Sequence, residues 1–418
     1  MPETGHQHQG VNDSTPDLHE PASVTVVGAS LAGVRGAEAI RRDGYRGPIK
    51  LIGDETHLPY DRPPLSKQVL AGQWEPEKAQ LIDAARVAEL GLTFEVGVAT
   101  ALDVEGRRIE VDGRWCDYDA LMISTGARPR RLQEGQQLEG VHVVRTLDDC
   151  LALRRDLDVV PGRVVVVGAG FIGAEVAATC RGLGRDVTIV EVAEVPLARV
   201  LGDQIGAVCA AIHEENGTEL ICGVGVSSLS GNLRVEEVQL DDGRTIEAAI
   251  VVVGIGVIPN TEWLEGSALE IDNGVVCDAT CLAGPNVVAA GDVARWYNDR
   301  FDQVMRVEHW DNAVEQGAHA ARRLLQGAGA PNFSPIPWFW SDQYDRKIQL
   351  AGRPSPDDRI DVVTGSFEER RFAAVYSNDG ALTGIFGMNR PRHVMQYRGL
   401  INEGASLDDA LSLAGESS

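Results

Sequence analysis

Residues 162–192 read GRVVVVGAGFIGAEVAATCRGLGRDVTIVEV. Val164 to Val167 is a continuous apolar run, the mark of a parallel strand buried on both faces. Gly168-x-Gly170-x-x-Gly173 follows at once, then a helix-like segment containing Ala177, then a second strand ending at Glu191. Each glycine has a physical task. The first makes a tight strand-to-helix turn, and the second lets a pyrophosphate approach the backbone. The third allows close helix–strand packing, with the helix N-terminus facing the anion. An acidic residue about 20 positions on accepts from the ribose hydroxyls. The segment predicts a βαβ dinucleotide-binding unit with Glu191 at the ribose. A 2′-phosphate would meet a like charge there, and no Arg or Lys occurs from 186 to 198 to offset it, so NADH is expected over NADPH.

The design occurs twice. Residues 23–55 read SVTVVGASLAGVRGAEAIRRDGYRGPIKLIGDE. A strand at Val24–Val27 leads into Gly28-x-Ser30-x-x-Gly33, a helix-like segment, a second strand at Ile49–Ile52 and the acidic pair Asp54-Glu55. Ser30 stands where glycine is usual, and its small hydroxyl leaves room for a phosphate. Two dinucleotide folds in one chain imply two dinucleotides, with electrons passing between them.

Composition narrows the class. At 418 residues the chain is long enough for two or three domains. With 38 basic and 62 acidic residues the net charge is −24, which argues against nucleic-acid and anionic-membrane partners. No apolar run approaches the roughly 20 residues of a membrane span, and the N-terminus has no basic-then-apolar leader. The seven cysteines are odd in number and scattered, without C-x-x-C. They read as reduced, mostly buried thiols of a cytoplasmic protein, and no metal site is expected. Residues 34–80 contain no cysteine, so redox chemistry through a cysteine pair in the first helix region is excluded. Residues 1–21 read as a disordered polar tail, with His6, His8 and His19 too few to hold a metal.

Other segments carry more specific information. LMISTGARP (121–129) and IVVVGIGVIPN (250–260) are apolar strands ending in Gly-turn-Pro, suited to passing the chain between nucleotide domains. VVAAGDVA (287–294) ends in Gly291-Asp292, placed to meet the ribityl and phosphate part of a flavin. YDRPPLSK (60–67) holds Arg62 and Lys67 on rigid irregular backbone, because proline fixes φ and lowers the entropy cost of ordering. Together with EHWDNAVEQG and WFWSDQ, these motifs resemble the FAD-dependent, NADH-linked ferredoxin reductases of cytochrome P450 and ring-hydroxylating dioxygenase systems. Apoptosis-inducing factor-like flavoproteins share that build. The resemblance runs from about residue 22 to about residue 400.

The resemblance implies an α/β fold with two Rossmann-like domains and an α+β C-terminal domain, as in glutathione reductase-like flavoproteins. It implies an FAD domain at 22–124 and 248–328, an NADH domain at 125–247 and a C-terminal domain at 329–418. It implies a reductase passing electrons from NADH through FAD to a [2Fe-2S] ferredoxin, as a monomer or weak homodimer. An NADH oxidase, a rubredoxin or quinone reductase and a non-enzymatic NADH-sensing flavoprotein remain alternatives. FAD contacts would come from Gly28, Ser30, Leu31, Ala32 and Gly33, with Asp54 and Glu55 on the adenosine ribose and Ala99 at the adenine. Arg62 and Lys67 would lie against the flavin. Arg145 would reach its pyrophosphate region, Asp292 its ribityl chain, and His309, Trp310 and Trp340 its ring and edge. NADH contacts would come from Gly168, Gly170, Phe171, Ile172, Gly173, Glu175, Glu191, Arg199, Gly256 and Glu308. Lys67, Glu175, Glu308 and Trp340 would act at the reacting rings. Val195 stands where several relatives place arginine, removing a cation near the adenosine end.

The C-terminal segments KIQLAG, RIDVVTGSF, FAAVYSN and LTGIFGMN alternate like antiparallel strands. PRHVMQYRGLINEG and SLDDALSLAG read as helices. Arg346, Lys347, Arg390, Arg392, His393 and Arg398 are candidates for a local basic patch that would steer an acidic ferredoxin to an acidic chain.

Overall fold

The computed structural model describes residues 20–416; expectations for residues 1–19 lie outside the described residues. Eight helices occur among the described residues: α1 Leu31–Arg42, α2 Ala84–Glu89, α3 Leu147–Val159, α4 Phe171–Gly182, α5 Ala198–Glu215, α6 Trp310–Gln326, α7 Pro391–Glu403 and α8 Leu407–Glu416. Three large sheets organise them.

The first sheet has the spatial order Leu282–Gly284, Val287–Ala289, Ala120–Ile123, Val24–Val27, Ile49–Gly53, Leu92–Val96. Val24 sits opposite Ile49 on one side and Ala120 on the other, both in parallel register. Two distant stretches of chain therefore share one sheet. The second sheet runs Glu219–Cys222, Val187–Glu191, Val164–Val167, Ile250–Val253, Val141–His142, all parallel. Ile250–Val253 pairs with Val164–Val167, so the return toward the first sheet falls after Val253 and not at 248. Apolar side chains are required on both faces of a central parallel strand, and the four residues of that strand are all buried.

The chain crosses between these sheets at two adjacent places. Ala127–Pro129 pairs antiparallel with Val257–Pro259. Beside them, Asn260 Nδ2 donates to Thr125 O and Thr125 Oγ1 donates to Asn260 O, each at 2.9 Å. The two crossings are thus locked together.

Helix α6 lies back to back with α1 because both carry glycine at the contact. A Cβ on Gly36 would approach Gly317 O to 3.0 Å, and one on Gly317 would approach Ala32 O to 2.4 Å. This close packing sets the N-terminus of α6, with His309 and Trp310, beside the first glycine-rich loop.

The third sheet is antiparallel, in the order Trp338–Gln343, Arg346–Gly352, Ala381–Met388, Arg371–Asn378, Arg359–Ser366. The four expected strands form, and WFWSDQ adds a fifth at the edge. Alternation on that edge strand sends Phe339, Ser341 and Gln343 inward, while Trp338, Trp340 and Asp342 stay partly exposed. One face buries Phe339, Ile348, Leu350, Phe372 and Phe386 against Leu201, Ile205, Val208 and Ile212 of α5. The opposite face packs Ala351, Val375 and Ile385 against Val394, Tyr397 and Ile401 of α7. The second and third sheets are therefore bound through α5.

At Gly202, α5 is kinked, with φ 74° and ψ 167°. A Cβ there would lie 3.0 Å from Pro356 O. Gly202→Ala should destabilise the protein by roughly 1–3 kcal/mol, because only glycine adopts this backbone without strain. Denaturant unfolding of the purified protein measures the cost; an unchanged midpoint would show that the kink relaxes freely.

Candidate active site

Two glycine-rich turns face one another across a continuous cleft of about 1300 Å³. In each turn the first and third glycines are demanded by the protein. Gly28 has φ +109, and its Cβ would fall 2.1 Å from Ser124 O; a Cβ on Gly33 would fall 2.2 Å from Gly28 O. In the second turn a Cβ on Gly168 would fall 2.5 Å from Gly254 O, and one on Gly173 would fall 2.1 Å from Gly168 O. The middle glycine differs. A Cβ on Gly170 would meet nothing within 4 Å. Protein packing gives no reason for glycine there, whereas a phosphate lying on the backbone at the N-terminus of α4 does. Ser30 takes the corresponding place before α1, and its side chain makes no capping hydrogen bond.

The acids that follow the two second strands behave differently. Glu191 accepts from Ala169 N at 2.6 Å and Ala193 N at 2.9 Å, which fixes its carboxylate behind the second turn. In strand register Gly53, not an acid, is the equivalent of Glu191. Asp54, one residue later, is exposed and lines the cleft. Glu55 also lines it, yet its oxygens are occupied: one accepts from Tyr60 Oη and the other from Arg62 Nη2 at 2.8 Å. The pair expected to share the ribose is thus divided into one open and one internally bonded carboxylate.

The segment Pro63–Ser66 is a single 3₁₀ turn with prolines at its first two positions. The residues just before it, Tyr60 to Arg62, anchor three neighbours: Leu147, Trp310 and Arg145. Asp61 Oδ1 accepts from Trp310 Nε1 at 2.7 Å, and Tyr60 Oη accepts from Leu147 N at 2.8 Å. Arg62 also donates to Arg145 O, and Arg145 Nη2 donates to Asp292 Oδ2 at 2.9 Å. Arg62 is thus a braced cation, and it lines the cleft.

Lys67 leads to the centre of the site. Its Nζ donates to Glu175 Oε2 at 2.8 Å, and Ser66 Oγ donates to the same oxygen at 2.6 Å. Glu175 Oε1 accepts from Ser341 Oγ at 2.9 Å and Asp342 N at 3.2 Å. Glu175 is only 3% exposed. Four donors on one buried carboxylate satisfy its charge. They come from the proline loop and the edge of the third sheet, while the carboxylate itself stands on α4. Ser66, Ser341 and Asp342 were not singled out in the sequence; their only signal was adjacency to Lys67 and Trp340.

At the N-terminus of α6, burial lowers the His309 imidazole to about 4, so it is neutral at physiological pH. Its Nδ1 has no partner, and neither has Arg145 Nε or Arg306 Nε; all three residues line the cleft. Arg306 donates to Asp292 O at 3.0 Å and pairs with Glu308 at 2.7 Å. Trp310 and Trp340 meet edge to face at 5.8 Å between ring centres, and Trp338 follows at 5.6 Å. The three indoles form a row leading from the cleft along the edge strand of the third sheet. Asp311 sits behind them, accepting from Trp338 N at 3.1 Å, and burial pushes its carboxyl up to about 7.

The cleft is lined by Gly28, Ser30, Leu31, Ala32, Ala99, Asp292, Phe171, Ile172, Gly173, Arg199 and Gly256 as well as the residues above, but Gly33, Gly168 and Glu191 stand behind its wall. None of the seven cysteines lines it, and none is in a disulfide. The cations of the third sheet are only partly available. Arg346 pairs with Asp345, Lys347 donates to Asp342 at 2.6 Å, and Arg398 donates to Ile336 O at 2.9 Å. Arg390 precedes α7 and Arg392 is exposed in its first turn. Among the described residues no helix is long and apolar enough to cross a membrane.

Comparison with known proteins agrees with this construction. The model of the pyridine nucleotide-disulphide oxidoreductases matches residues 22–317, and that of the reductase C-terminal domain matches residues 338–417. The chain is 34% identical to putidaredoxin reductase of Pseudomonas putida, covering 91% of this chain and 92% of that protein. It is 38% identical to the biphenyl dioxygenase system ferredoxin–NAD(+) reductase component of Paraburkholderia xenovorans, covering 79% of this chain and 81% of that one. The crystal structure of the covalent putidaredoxin reductase–putidaredoxin complex matches with a TM-score of 0.87 at 34% identity, over 92% of this chain and 93% of that chain. Similarity of this extent, together with two facing glycine cradles and a third sheet at their junction, places the chain in the pyridine nucleotide-disulphide oxidoreductase family, among its ferredoxin–NAD(+) reductases.

Proposed function

We propose that the protein takes electrons from NADH into FAD and hands them to a [2Fe-2S] ferredoxin serving a cytochrome P450 or a ring-hydroxylating oxygenase. One observation carries the reading: a single cleft joins both glycine cradles to the tryptophan row, and no cysteine lines it. A disulfide reductase needs a thiol pair at that place. Bound FAD supplies the conversion of a two-electron donor into single-electron transfers.

The residues present fit FAD in the first cradle. Gly28 and Ser30 leave backbone open at the N-terminus of α1. The partnerless N–H groups of Arg145 and Arg306, either side of Asp292, suit phosphate oxygens. Asp54 is free for the ribose. NADH fits the second cradle, where Gly170 leaves the space of a pyrophosphate and Glu191 is fixed behind the turn. Glu175 orients Lys67 at the meeting of the two limbs. Hydride transfer between stacked rings needs no general acid, so orientation and a fixed charge are the protein's contribution. Relatives named as reductases of P450 and dioxygenase systems support the choice of acceptor. Seven free thiols support a reducing, cytoplasmic setting.

Assaying NADH-driven reduction across a panel of [2Fe-2S] ferredoxins tests the reading. Rapid reduction of at least one is expected; rapid NADH oxidation with oxygen alone and no ferredoxin turnover would assign an oxidase.

Three further outcomes are expected. Glu175→Ala should slow reduction of bound flavin by NADH at least ~tenfold while FAD remains bound, since Lys67 loses its orienting partner. Stopped-flow bleaching of the flavin measures this, and loss of FAD with normal bleaching in the remaining holoenzyme would give Glu175 a purely structural role. With NADPH, kcat/KM should fall about 100-fold below the NADH value because its 2′-phosphate would approach the negative charge of Glu191 fixed behind the second turn, with no Arg or Lys from 186 to 198 to offset it; equal values would refute that placement. Reversing Arg390 and Arg392 together to Glu should raise the ferredoxin KM about tenfold at low salt, less at high salt, with ferricyanide reduction near normal. Unchanged ferredoxin kinetics would move the docking surface elsewhere.

A further inference from the structure

The loop Gly352–Asp358 leaves the third sheet and closes one side of the cleft, which Gly352 to Pro356 line. It is held rigidly. Gly352 has φ +102, and a Cβ there would lie 2.3 Å from Thr383 O, so glycine is required. Arg353 N donates to Thr383 O at 2.7 Å. Pro354 and Pro356 remove backbone freedom. Buried Asp358 accepts from Ser355 N at 3.0 Å and from Asn378 Nδ2 at 2.9 Å. At its far end the loop meets the second nucleotide fold: Pro356 O lies 3.0 Å from the place of a Cβ on Gly202, three residues beyond Arg199.

This loop presents Arg353 to the cleft. Most other cleft cations are neutralised by carboxylates, among them Arg62 by Glu55, Lys67 by Glu175, Arg145 by Asp292 and Arg306 by Glu308, whereas Arg131 and Arg199 line the cleft without an ion pair among the described residues. Arg353 is exposed and has no ion pair among the described residues. It is close enough to His309 to oppose protonation of that imidazole. A chain of net charge −24 has carboxylates to spare, so an unpaired arginine carried to the cleft on a rigid loop points to an anion from outside. The loop touches α5 and reaches toward His309, where the NADH limb meets the flavin limb. The first cradle already has Arg145 and Arg306 for its phosphates.

We infer that Arg353 binds the nicotinamide-side phosphate of NADH, so that the C-terminal sheet supplies part of the NADH site. The inference rests on the reading of the second cradle as the NADH site. On this basis Arg199 and Arg353 flank the diphosphate from two different lobes, with the N-terminus of α4 beneath it.

Isothermal titration of FAD-loaded wild type, Arg353→Gln and Arg353→Lys with NAD⁺, ADP-ribose and AMP tests this. AMP lacks the nicotinamide-side phosphate. Arg353→Gln should weaken NAD⁺ and ADP-ribose about tenfold at low salt and leave AMP unchanged, and Arg353→Lys should recover part of the loss. Unchanged ADP-ribose affinity combined with a raised ferredoxin KM would overturn the inference and make Arg353 a docking residue. Equal weakening of all three ligands with a lowered Tm would overturn it in favour of a structural role. Failure of wild type to bind any of the three would instead refute the NADH site itself.

Discussion

The carboxylate of Glu175 is the point on which the rest of the structure depends. It is buried, and all four of its donors come from other parts of the chain. Removing such a group leaves Lys67, Ser66 and Ser341 without their acceptor in a site closed to water, and buried donors left unmade are costly. The carboxylate therefore ties the proline loop of the first nucleotide fold, the glycine helix of the second and the tryptophan strand of the third sheet to one position. Those three elements meet at the cleft that joins the two nucleotide folds to the third sheet. The arrangement explains the rigidity of YDRPPLSK: its prolines hold Ser66 and Lys67 against Glu175, while Asp61 fixes Trp310 and Arg62 is braced between Glu55 and Arg145.

The same economy governs charge. The cleft is rich in arginine on a strongly acidic chain, yet most of those cations are paired with carboxylates that line the same cleft. Paired cations keep their field inside the site at lower desolvation cost than free ones. The Nε–H groups of Arg145 and Arg306 are buried at the cleft without partners among the described residues, where a phosphate from outside would complete their electrostatics. Packing gives the same information at Gly170, the glycine of the second cradle that no neighbour requires.

Much of this was legible in the sequence because it is local. A glycine turn at fixed spacing after an apolar strand can be read from a dozen residues, and both nucleotide folds announce themselves that way, the first with Ser30 in place of the middle glycine. Alternation showed four strands of the third sheet, while the aromatic content of WFWSDQ drew attention to its motif and away from its role as an edge strand. Contacts between distant segments were not legible. Ser66 and Glu175 are separated by 109 positions, and Ser341 and Glu175 by 166; serine has no pattern that announces such a partner. Glu55 was visible as an acid, but its engagement by Tyr60 and Arg62 follows from a turn whose path only the fold determines. The crossing near residue 253 was misplaced at 248 because Ile250–Val253 reads equally well as the last strand of one sheet or the first of the next.

The most direct measurement is anaerobic rapid mixing of FAD-loaded protein with NADH and an excess of an active [2Fe-2S] ferredoxin, following flavin and ferredoxin absorbance together. A cleft joining two nucleotide sites to an aromatic exit predicts bleaching of the flavin first. Its recovery should then accompany ferredoxin reduction, with two ferredoxins reduced per NADH. Flavin that bleaches and stays bleached until air is admitted, with ferredoxin still oxidised, would contradict it.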